Sequence, residues 1–535
     1  MRRSASRSGK GAERVTRRPE IDHARLTSLW SILDHYAQVD AGQTATVFEW
    51  RAKTYGVLRD EASDLAGRLV ADGRGRGDRI GYLGKNSDHY FALLFAVARI
   101  GAVIVPMNWR LAEDEWAFIV QDSGMACLFS DEAFAPAAAI VADGASIAHR
   151  MLDHGVMAPV EPRPSLPANS SDPDAIVFQV YTSGTTGRPK GAMLSHRNLL
   201  ALRAPGYAAG LDWFPARGCT VGLVLPVAHI AGTAYALFGF YAGARIVIAR
   251  EFDAGGVVAL IAREQISHIL LAPAAMQMML EHPASADADL SSLHYITYGA
   301  APIPEALLRQ ALNRLGCGFV QMYGMTEAAG GVVALQPHDH VSAVPGRLRS
   351  AGTAMPGVEI AVVDDEWAAQ QPGTTGEIVV RSAAVMSGYW RRPDADADIF
   401  GPDGWMRTGD IGRIDTDGYL FVLDRAKDMI VSGGENIYPT EVENAIFGHP
   451  DIADVAVVGA PSQRWGEEVV ALVLLRPGTK PDLQALLAWL DGKLARFKLP
   501  KRLVLVDALP RNAGNKLLRR VLREPFWQGH DRRVN

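Results

Sequence analysis

Residues 181–191 read YTSGTTGRPKG and follow directly on the strand-like run AIVFQV at 175–180. The stretch combines glycines, which let a backbone approach a ligand closely, with hydroxyl donors and one cation. These residues are Thr182, Ser183, Gly184, Thr185, Thr186, Gly187 and Lys190. Such a composition is typical of a loop that binds a polyanion, and it is also found in linkers. The spacing of a Walker A loop is absent, which excludes a P-loop NTPase.

The composition indicates a large chain with an ordinary soluble surface. At roughly 100 to 200 residues per domain, 535 residues predict about three to five structural units. Lys and Arg total 54 against 59 Asp and Glu, so the chain lacks the basic excess of a nucleic-acid-binding protein, and we expect no nucleic-acid partner. The cysteines, Cys127, Cys219 and Cys317, lack the paired spacing of a zinc site or a disulfide framework.

The N-terminal segment and one uncharged stretch bear on targeting and membrane insertion. Residues 1–24 are predicted to be a basic flexible tail without the apolar core of a secretory signal, which favours a cytoplasmic protein. A transit peptide, or an arm that contacts a membrane surface, stays open as an alternative. The uncharged residues 218–244 are long enough to span a bilayer, but Pro226 and five glycines predict a buried strand, a turn and a helix instead.

The order of patterns along the chain predicts an α/β fold. Strand-like runs such as DRIGYLG and GAVIVPMN alternate with helical stretches such as DHYFALLFAVARIGA, which indicates layered α/β structure with largely parallel sheets. Residues 341–424 read as short strands separated by turns, which predicts a small antiparallel or barrel-like β subdomain. The last hundred or so residues predict a compact α+β domain.

Further motifs follow the first in a fixed order. They are PVAHIAG at 226–232, YGAAP at 298–302, YGMTE at 323–327, GWMRTGD at 404–410, DRAKDMIVSGGENIYPTEVE at 424–443 and LPRNAGNK at 509–516. Together with YTSGTTGRPKG they resemble the motifs of the adenylate-forming superfamily of acyl-CoA synthetases, luciferases and peptide-synthetase adenylation domains. The resemblance implies an AMP-binding adenylation domain at 25–424 and a mobile C-terminal domain at 425–535. It also implies ATP, Mg²⁺ and coenzyme A as cofactors.

The resemblance assigns a nucleotide site to these motifs. The loop from Thr182 to Lys190 is expected to hold the β- and γ-phosphates, Glu327 to bind Mg²⁺, and Thr326 to contact the α-phosphate. A carboxylate beside a triphosphate is compatible with an octahedral Mg²⁺ that also binds phosphate and water. The nucleoside end is assigned to Gly299, Ala300, Ala301, Tyr323, Gly324, Met325, Asp410 and Arg425, with Asp410 as the ribose ligand.

The C-terminal motifs imply a second half-reaction. By resemblance, Lys516 is the adenylation lysine and Lys427 lies at a hinge about which the C-terminal domain rotates. After rotation, a loop with Ser432, Gly433 and Gly434 is expected to line the CoA tunnel, with Trp465 nearby. The residue before Lys516 is Asn515 where glycine is usual, a departure that some aryl-CoA ligases share.

The sequence motifs specify the carboxylic acid substrate less closely than the nucleotide. His229 is expected at the acyl pocket, and Gly324 stands where acetate-specific members have a tryptophan, which predicts an open pocket floor. The expected lining carries no cation, which disfavours dicarboxylates; it comprises Val227, Ile230, Ala231, Tyr235, Tyr298, Met325 and residues 328–333. A medium- to long-chain fatty acid is favoured, with an aryl, alicyclic or sterol-derived acid, or transfer to a carrier protein, as alternatives. The oligomeric state, including a homodimer, stays open.

Overall fold

The computed structural model describes residues 21–152, 166, 172–182, 189–511 and 517–528. Its α-helices are Leu29–Val39 (α1), Tyr55–Ala71 (α2), Asp88–Ile100 (α3), Glu113–Ser123 (α4), Ala135–Gly144 (α5), His196–Leu200 (α6), Arg203–Ala208 (α7), Ile230–Tyr241 (α8), Ala254–Glu264 (α9), Pro273–Glu281 (α10), Glu305–Leu315 (α11), Pro337–His340 (α12), Pro393–Ile399 (α13), Pro439–Phe447 (α14), Leu483–Leu490 (α15) and Arg519–Trp527 (α16).

The strands fall between these helices along most of the chain. They are Thr44–Phe48 (β1), Arg51–Thr54 (β2), Arg79–Leu83 (β3), Val103–Met107 (β4), Met125–Ser130 (β5), Ala148–Met151 (β6), Ile176–Thr182 (β7), Lys190–Ser195 (β8), Thr220–Leu223 (β9), Arg245–Ile248 (β10), His268–Leu271 (β11), Tyr295–Gly299 (β12), Gly318–Met325 (β13), Gly330–Leu335 (β14), Thr353–Ala354 (β15), Val358–Val363 (β16), Gly376–Ser382 (β17), Gly388–Tyr389 (β18), Met406–Ile414 (β19), Leu420–Arg425 (β20), Ile430–Ser432 (β21), Glu435–Ile437 (β22), Ile452–Ser462 (β23), Gly466–Leu475 (β24) and Arg502–Leu505 (β25).

Two large sheets form the first part of the protein. One has the order β15-β14-β13-β12-β11-β9-β10-β1-β2, and the other has the order β18-β8-β7-β4-β3-β5-β6. Strands β9 to β13 pair in parallel, as do β3 to β7, while antiparallel strands lie at the edges. The predicted layered α/β fold with largely parallel sheets is therefore confirmed.

The main apolar core contains two helices that are buried on nearly every side. Helix α3 begins at the N-cap Ser87 and ends at Gly101, which has the left-handed conformation that suits a helix C-terminus. Helix α8 is buried along almost its whole length, which explains why its sequence carries no charge. The uncharged stretch at 218–244 thus forms β9 and α8, as predicted. Within the described residues, we find no helix long and apolar enough to cross a membrane.

The second part of the chain forms two smaller sheets. Strands β16, β17, β19 and β20 make an antiparallel sheet, in agreement with the subdomain predicted at 341–424. Strands β21 to β25 make a separate sheet covered by α14, α15 and α16. The fold class is therefore as predicted, while the domain limits at residues 24 and 424 stay predictions.

An ion-pair network connects these two smaller sheets. The Arg519 guanidinium of α16 lies 2.6 Å from Glu443 of α14, 3.4 Å from Asp424 of β20 and 3.7 Å from Asp428. Burial opposes the charge of Arg519, but these carboxylates outweigh it and raise its pKa. Thr440 donates to the other oxygen of Asp424 through its backbone and its hydroxyl. The charges of the junction near residue 425 are therefore well compensated.

Candidate active site

A hairpin of the seven-stranded sheet carries the first predicted motif. Thr182 is the last residue of β7, Lys190 is the first residue of β8, and the two are paired in antiparallel register. The motif therefore connects two adjacent strands at the edge where β7 ends. Ser183, Gly184, Thr185, Thr186 and Gly187 lie outside the described residues, so their roles stay predictions.

Glu327 lies opposite this hairpin, in a 3₁₀ turn at Thr326–Ala328 that follows β13. Thr182 donates its hydroxyl to Glu327 Oε1 across 3.4 Å, and Tyr389 of β18 donates its hydroxyl to the same oxygen across 2.7 Å. The structure thus brings together Thr182, Lys190, Thr326 and Glu327, which the motifs assign to the phosphates. Burial and the carboxylate of Glu327 raise the pKa of Tyr389, which keeps its hydroxyl a donor.

The donor set around Glu327 fits a magnesium ion. In the described part of the chain, both hydrogen bonds to this carboxylate go to Oε1, which leaves Oε2 for a cation. Hard oxygen ligands are the ones that Mg²⁺ prefers, and it commonly binds one or two carboxylates together with substrate phosphates and water. Glu327, with Thr182 beside it, would hold the ion, and the bound ion would neutralise charge on the phosphates.

A second polar cluster lies around Tyr323, near the carboxyl end of β13 and four residues before Glu327. Tyr323 of β13 donates to Asp410 Oδ2 across 2.8 Å, and the Arg425 guanidinium lies 2.8 Å from Asp410 Oδ1. Asp410 and Arg425 are directly paired across β19 and β20. Burial opposes the charge of Arg425, but Asp410 outweighs it and raises its pKa, while burial and Asp410 raise the pKa of Tyr323. Asp410 is buried, and its two carboxylate oxygens have lone pairs left for a diol.

The loop predicted to face adenine has an unusual backbone. Gly299 ends β12 opposite Met322, and a Cβ at Gly299 would overlap the Met322 carbonyl oxygen. Ala300 follows with φ 65°, a left-handed conformation that a residue with a side chain adopts rarely. Ala300 is exposed and Ala301 is half-buried. Small residues and a strained backbone at this position are compatible with a flat ring lying against the loop.

His229 lies at the N-terminus of α8, the helix expected to line the acyl pocket. Its Nδ1 accepts a hydrogen bond from the Ala231 backbone across 3.3 Å, so the ring caps the helix. The position of His229 beside the bound carboxylic acid stays a prediction. Along this helix, Ala231 is half-exposed and Ala234 faces Gly330, because a Cβ built on Gly330 would lie 3.9 Å from the Ala234 Cβ.

The structure corrects the expectation that Gly324 forms an open pocket floor. A Cβ at Gly324 would overlap the carbonyl oxygen of Gly330 in the neighbouring strand β14. The register of β13 and β14 shifts between Tyr323 and Gly324, and this irregularity turns the Cβ direction of Gly324 into the adjacent backbone. Gly324 is therefore required for close strand packing, and its lack of a side chain does not measure the space for an acid.

The expected role of Tyr298 in the pocket lining is also wrong. Its hydroxyl lies 2.9 Å from His340 and donates to Gln321, and its ring packs with Phe319 on the face of the sheet opposite α8. Neighbouring Thr297 instead faces α8, where Tyr235 hydrogen-bonds to it. Because side chains alternate along a strand, only one of these two neighbours can face the pocket.

The residues assigned to the second half-reaction lie around the junction of the smaller sheets. Lys427 lies in a 3₁₀ turn at Ala426–Asp428, between β20 and β21, and burial together with Arg425 lowers its pKa although Asp428 opposes this. Gly433 and Gly434 connect β21 to β22 with φ 61° and 85°, as a two-residue hairpin turn with positive φ at both positions requires.

Trp465 lies against this turn. Gly433 donates its backbone N–H to the Trp465 carbonyl across 2.7 Å, and a Cβ at Gly433 would lie 2.9 Å from the indole ring. Ser432, Gly433, Gly434 and Trp465 therefore form one surface, on which the residue Trp465 is 42% exposed. Lys516 lies outside the described residues, and its assignment stays a prediction.

Sequence reasoning missed Tyr389. The signal was present as GYW at 388–390, a short apolar run after the strand EIVVRS, but neither spacing nor charge distinguishes this tyrosine from a core residue. Only the pairing of β18 with β8 brings its hydroxyl to Glu327.

Comparison with known proteins adds to this geometry. Residues 33–390 match the model of the AMP-binding enzyme family, and residues 441–516 match that of the AMP-binding enzyme C-terminal domain. The fatty acid–[acyl-carrier-protein] ligase ScoC of Streptomyces coeruleorubidus is 41% identical, over 96% of this chain and 99% of its own length. Feruloyl-CoA synthase of an Amycolatopsis species is 38% identical, over 92% of this chain and 97% of its own length.

A solved structure is similar over almost the same length. The o-succinylbenzoate CoA synthetase MenE of Bacillus subtilis, in complex with the acyl-adenylate intermediate OSB-AMP, superposes with a TM-score of 0.83 at 30% identity. The match covers 92% of this chain and 98% of that chain. The same enzyme in complex with ATP and a magnesium ion gives a TM-score of 0.82 at 29% identity, with 92% and 98% covered.

Proposed function

Because this chain belongs to the AMP-binding enzyme family, whose model matches residues 33–390, we propose that it is an ATP-dependent ligase that joins a hydrophobic monocarboxylate to coenzyme A. The favoured substrate is a medium- to long-chain fatty acid. The chain is an AMP-forming acid–thiol ligase in its broader class, with ATP, Mg²⁺ and CoA as cofactors.

One observation carries the proposal: the two polar clusters of the site are four residues apart, at the carboxyl end of β13 and in the turn that follows it. Tyr323 is bonded to Asp410, and Glu327, four residues later, is bonded to Thr182. The two clusters lie close together, since the Glu327 carboxylate is among the charges that raise the pKa of Arg425, the ion-pair partner of Asp410. This spacing suits a nucleoside at Asp410 and Arg425 and a triphosphate at Glu327 and Lys190.

The geometry supports acyl transfer through an adenylate. A carboxylate is a poor acyl donor because its leaving group would be oxide, and attack of its oxygen on the α-phosphorus of ATP, with loss of pyrophosphate, replaces oxide by AMP. Lys190 and Arg425 supply fixed positive charge at the two ends of the nucleotide. A thiolate then forms the thioester bond at the acyl carbonyl, and the bond to AMP breaks.

The surroundings of α8 support an apolar acid. Ala234 of this helix faces Gly330, and Met325 packs against the apolar core to which the helix belongs. Arg203 donates to the Ala234 carbonyl and packs on the Phe238 ring. An apolar wall discriminates weakly between acids that differ by a methylene group. Aryl, alicyclic and sterol-derived acids therefore remain alternatives to a fatty acid.

A carrier protein is the second candidate acceptor. The similarity to ScoC, which is named as a fatty acid–[acyl-carrier-protein] ligase, favours this candidate. The Gly433–Trp465 surface is suited to a phosphopantetheine arm, which both CoA and a loaded carrier protein present. The acceptor must therefore be decided by experiment.

The test is a matrix of acids and acceptors with mass-spectrometric detection of thioesters. Straight-chain acids from hexanoate to hexadecanoate, ferulate and a bicyclic acid are each combined with CoA or with a phosphopantetheinylated acyl carrier protein. We expect acyl-CoA from the C8 to C16 acids. Thioester on the carrier protein alone would favour the second candidate, and turnover of ferulate alone would overturn the fatty acid assignment.

A further inference from the structure

The segment that ends in β18 holds Glu327 at two points. The Met386 backbone N–H donates to the Glu327 carbonyl oxygen across 2.8 Å, and the Tyr389 hydroxyl donates to Glu327 Oε1 across 2.7 Å. Both the main chain and the carboxylate of Glu327 are thus tied to a stretch of four residues. Because one carboxylate oxygen is fixed by a short hydrogen bond, the orientation of the other is fixed as well.

The same tyrosine also contacts the cation of the phosphate hairpin. Lys190 Nζ lies 5.1 Å from the centre of the Tyr389 ring, within the distance at which an ammonium group is attracted to an aromatic face. β18 pairs with β8, and Tyr389 is opposite Ala192, two residues after Lys190. The Tyr389 backbone N–H is held by Asp396 of α13 across 2.8 Å. The ring is therefore fixed between the metal carboxylate and the phosphate cation.

We propose that Tyr389 is a positioning residue for the Mg²⁺–triphosphate site: its hydroxyl orients Glu327 so that Oε2 faces the ion, and its ring supports Lys190. This inference rests on the proposed function for the identity of the nucleotide. A purely structural role would require only the ring, because Tyr389 is 8% exposed and phenylalanine would fill the same volume. The hydroxyl is the part of Tyr389 that reaches Glu327.

The two contacts of Tyr389 can be separated by substitution. Tyr389→Phe removes the hydrogen bond to Glu327 and keeps the ring under Lys190, whereas Tyr389→Ala removes both. Tyr419→Phe is the matched control, because the Tyr419 hydroxyl also donates to a carboxylate, that of Asp339, across 2.7 Å in another part of the fold. The measurement is ATP binding by isothermal titration calorimetry, at a series of Mg²⁺ concentrations and in EDTA, together with the melting temperature of each variant.

For Tyr389→Phe we expect the Mg²⁺ concentration for half-maximal enhancement of ATP binding to rise by about tenfold, the lower end of the losses seen for residues that orient metal ligands. ATP binding in EDTA should stay within about twofold of the wild-type value, because Lys190 keeps its aromatic support. Saturating Mg²⁺ should restore ATP affinity. Tyr389→Ala should weaken ATP binding in EDTA as well.

An unchanged Mg²⁺ dependence in Tyr389→Phe would overturn the proposal, as would an equal shift in Tyr419→Phe. The readout does not depend on the acid. Failure of every acid to react would count against the proposed function, while a selective Mg²⁺ shift in the same protein would still support the role of Tyr389. If Tyr389→Ala fails to fold, the phenylalanine variant alone decides.

Discussion

At the scale of single residues, the buried Asp410 carboxylate organises the nucleoside end of the site. Its two oxygens are held by Arg425 and Tyr323, so its position is fixed before a ligand arrives. A preorganised carboxylate can accept hydrogen bonds from a vicinal diol without paying for reorientation. Neither an amide nor a hydroxyl at this position offers two equivalent charged acceptors.

Asp410→Asn should weaken ATP binding by about tenfold or more, since hydrogen bonds to charged groups contribute about 1.5–3 kcal/mol. Asp415→Asn is the control in the same hairpin. The Asp415 carboxylate accepts from the backbone N–H groups of Asp417 and Tyr419, and an asparagine oxygen can accept the same bonds. Calorimetry measures the affinity of each variant for ATP and for AMP. Equal affinities of Asp410→Asn and wild type would remove Asp410 from the nucleotide site.

Ordered sequence motifs named several residues of the candidate site, whose roles stay predictions. A carboxylate, a cation and a hydroxyl in ordered motifs were sufficient to name Glu327, Lys190 and Thr182, which the fold brings together. They were not sufficient for Gly324, because the irregular register of β13 decides where a Cβ would point. Tyr389 was missed because its role arises from strand pairing, which no local pattern contains.

At the scale of secondary structure, helix α8 is the element that shapes the proposed acyl pocket. Its N-terminus is capped by His229, and its side chains from Ile230 to Tyr241 are almost all buried. A helix packed this tightly offers few positions at which a larger side chain would project into a pocket instead of into the core. Ala234 is such a position, because it faces the glycine at the start of β14.

Ala234→Leu should shorten the preferred acid. The added atoms would occupy space near Gly330, so kcat/KM for hexadecanoate should fall by about tenfold relative to octanoate. ATP affinity, which depends on the other end of the site, should not change and serves as the internal control. Steady-state kinetics with the two acids provide the measurement. A parallel loss for both acids would indicate a packing defect and would contradict the role of Ala234 in chain length.

Most elements were predictable because their sequence signals are local. The helix at Glu305–Leu315 follows its predicted pattern closely. The strands of the sheet formed by β16, β17, β19 and β20 do so as well. The face of the sheet on which Tyr298 lies was not predictable, because the β-rich run around it carries apolar side chains on both faces. In a strand buried on both sides, hydrophobic alternation disappears and the pattern cannot assign a face.

In the molecule as a whole, one site is proposed to serve two reactions. The Arg519 network joins the sheet that carries Asp410 to the sheet that carries the Gly433–Gly434 turn. Lys427 lies between these sheets in a short turn, where a change in few backbone angles would rotate one sheet relative to the other. The proposed rotation would exchange the Lys516 segment for the Gly433–Trp465 surface.

Lys516→Ala should abolish adenylate formation and leave CoA attack on a supplied acyl-adenylate largely intact, because the lysine is expected to face the site only during the first step. Lys480→Ala, an exposed lysine of the same C-terminal part, is the control and should behave as wild type. The two half-reactions are assayed separately. Equal loss of both half-reactions in Lys516→Ala would contradict the assignment of Lys516 to the first half-reaction alone.

Adenylate formation is tested most directly by a pre-steady-state measurement of pyrophosphate release with ATP, Mg²⁺ and dodecanoate in the absence of any thiol. We expect a burst of about one pyrophosphate per active site that then stops, with enzyme-bound acyl-adenylate as the product. Addition of CoA should restart turnover and release AMP and the thioester. Release of inorganic phosphate and ADP, or pyrophosphate release that begins only when the thiol is present, would contradict acyl transfer through an adenylate.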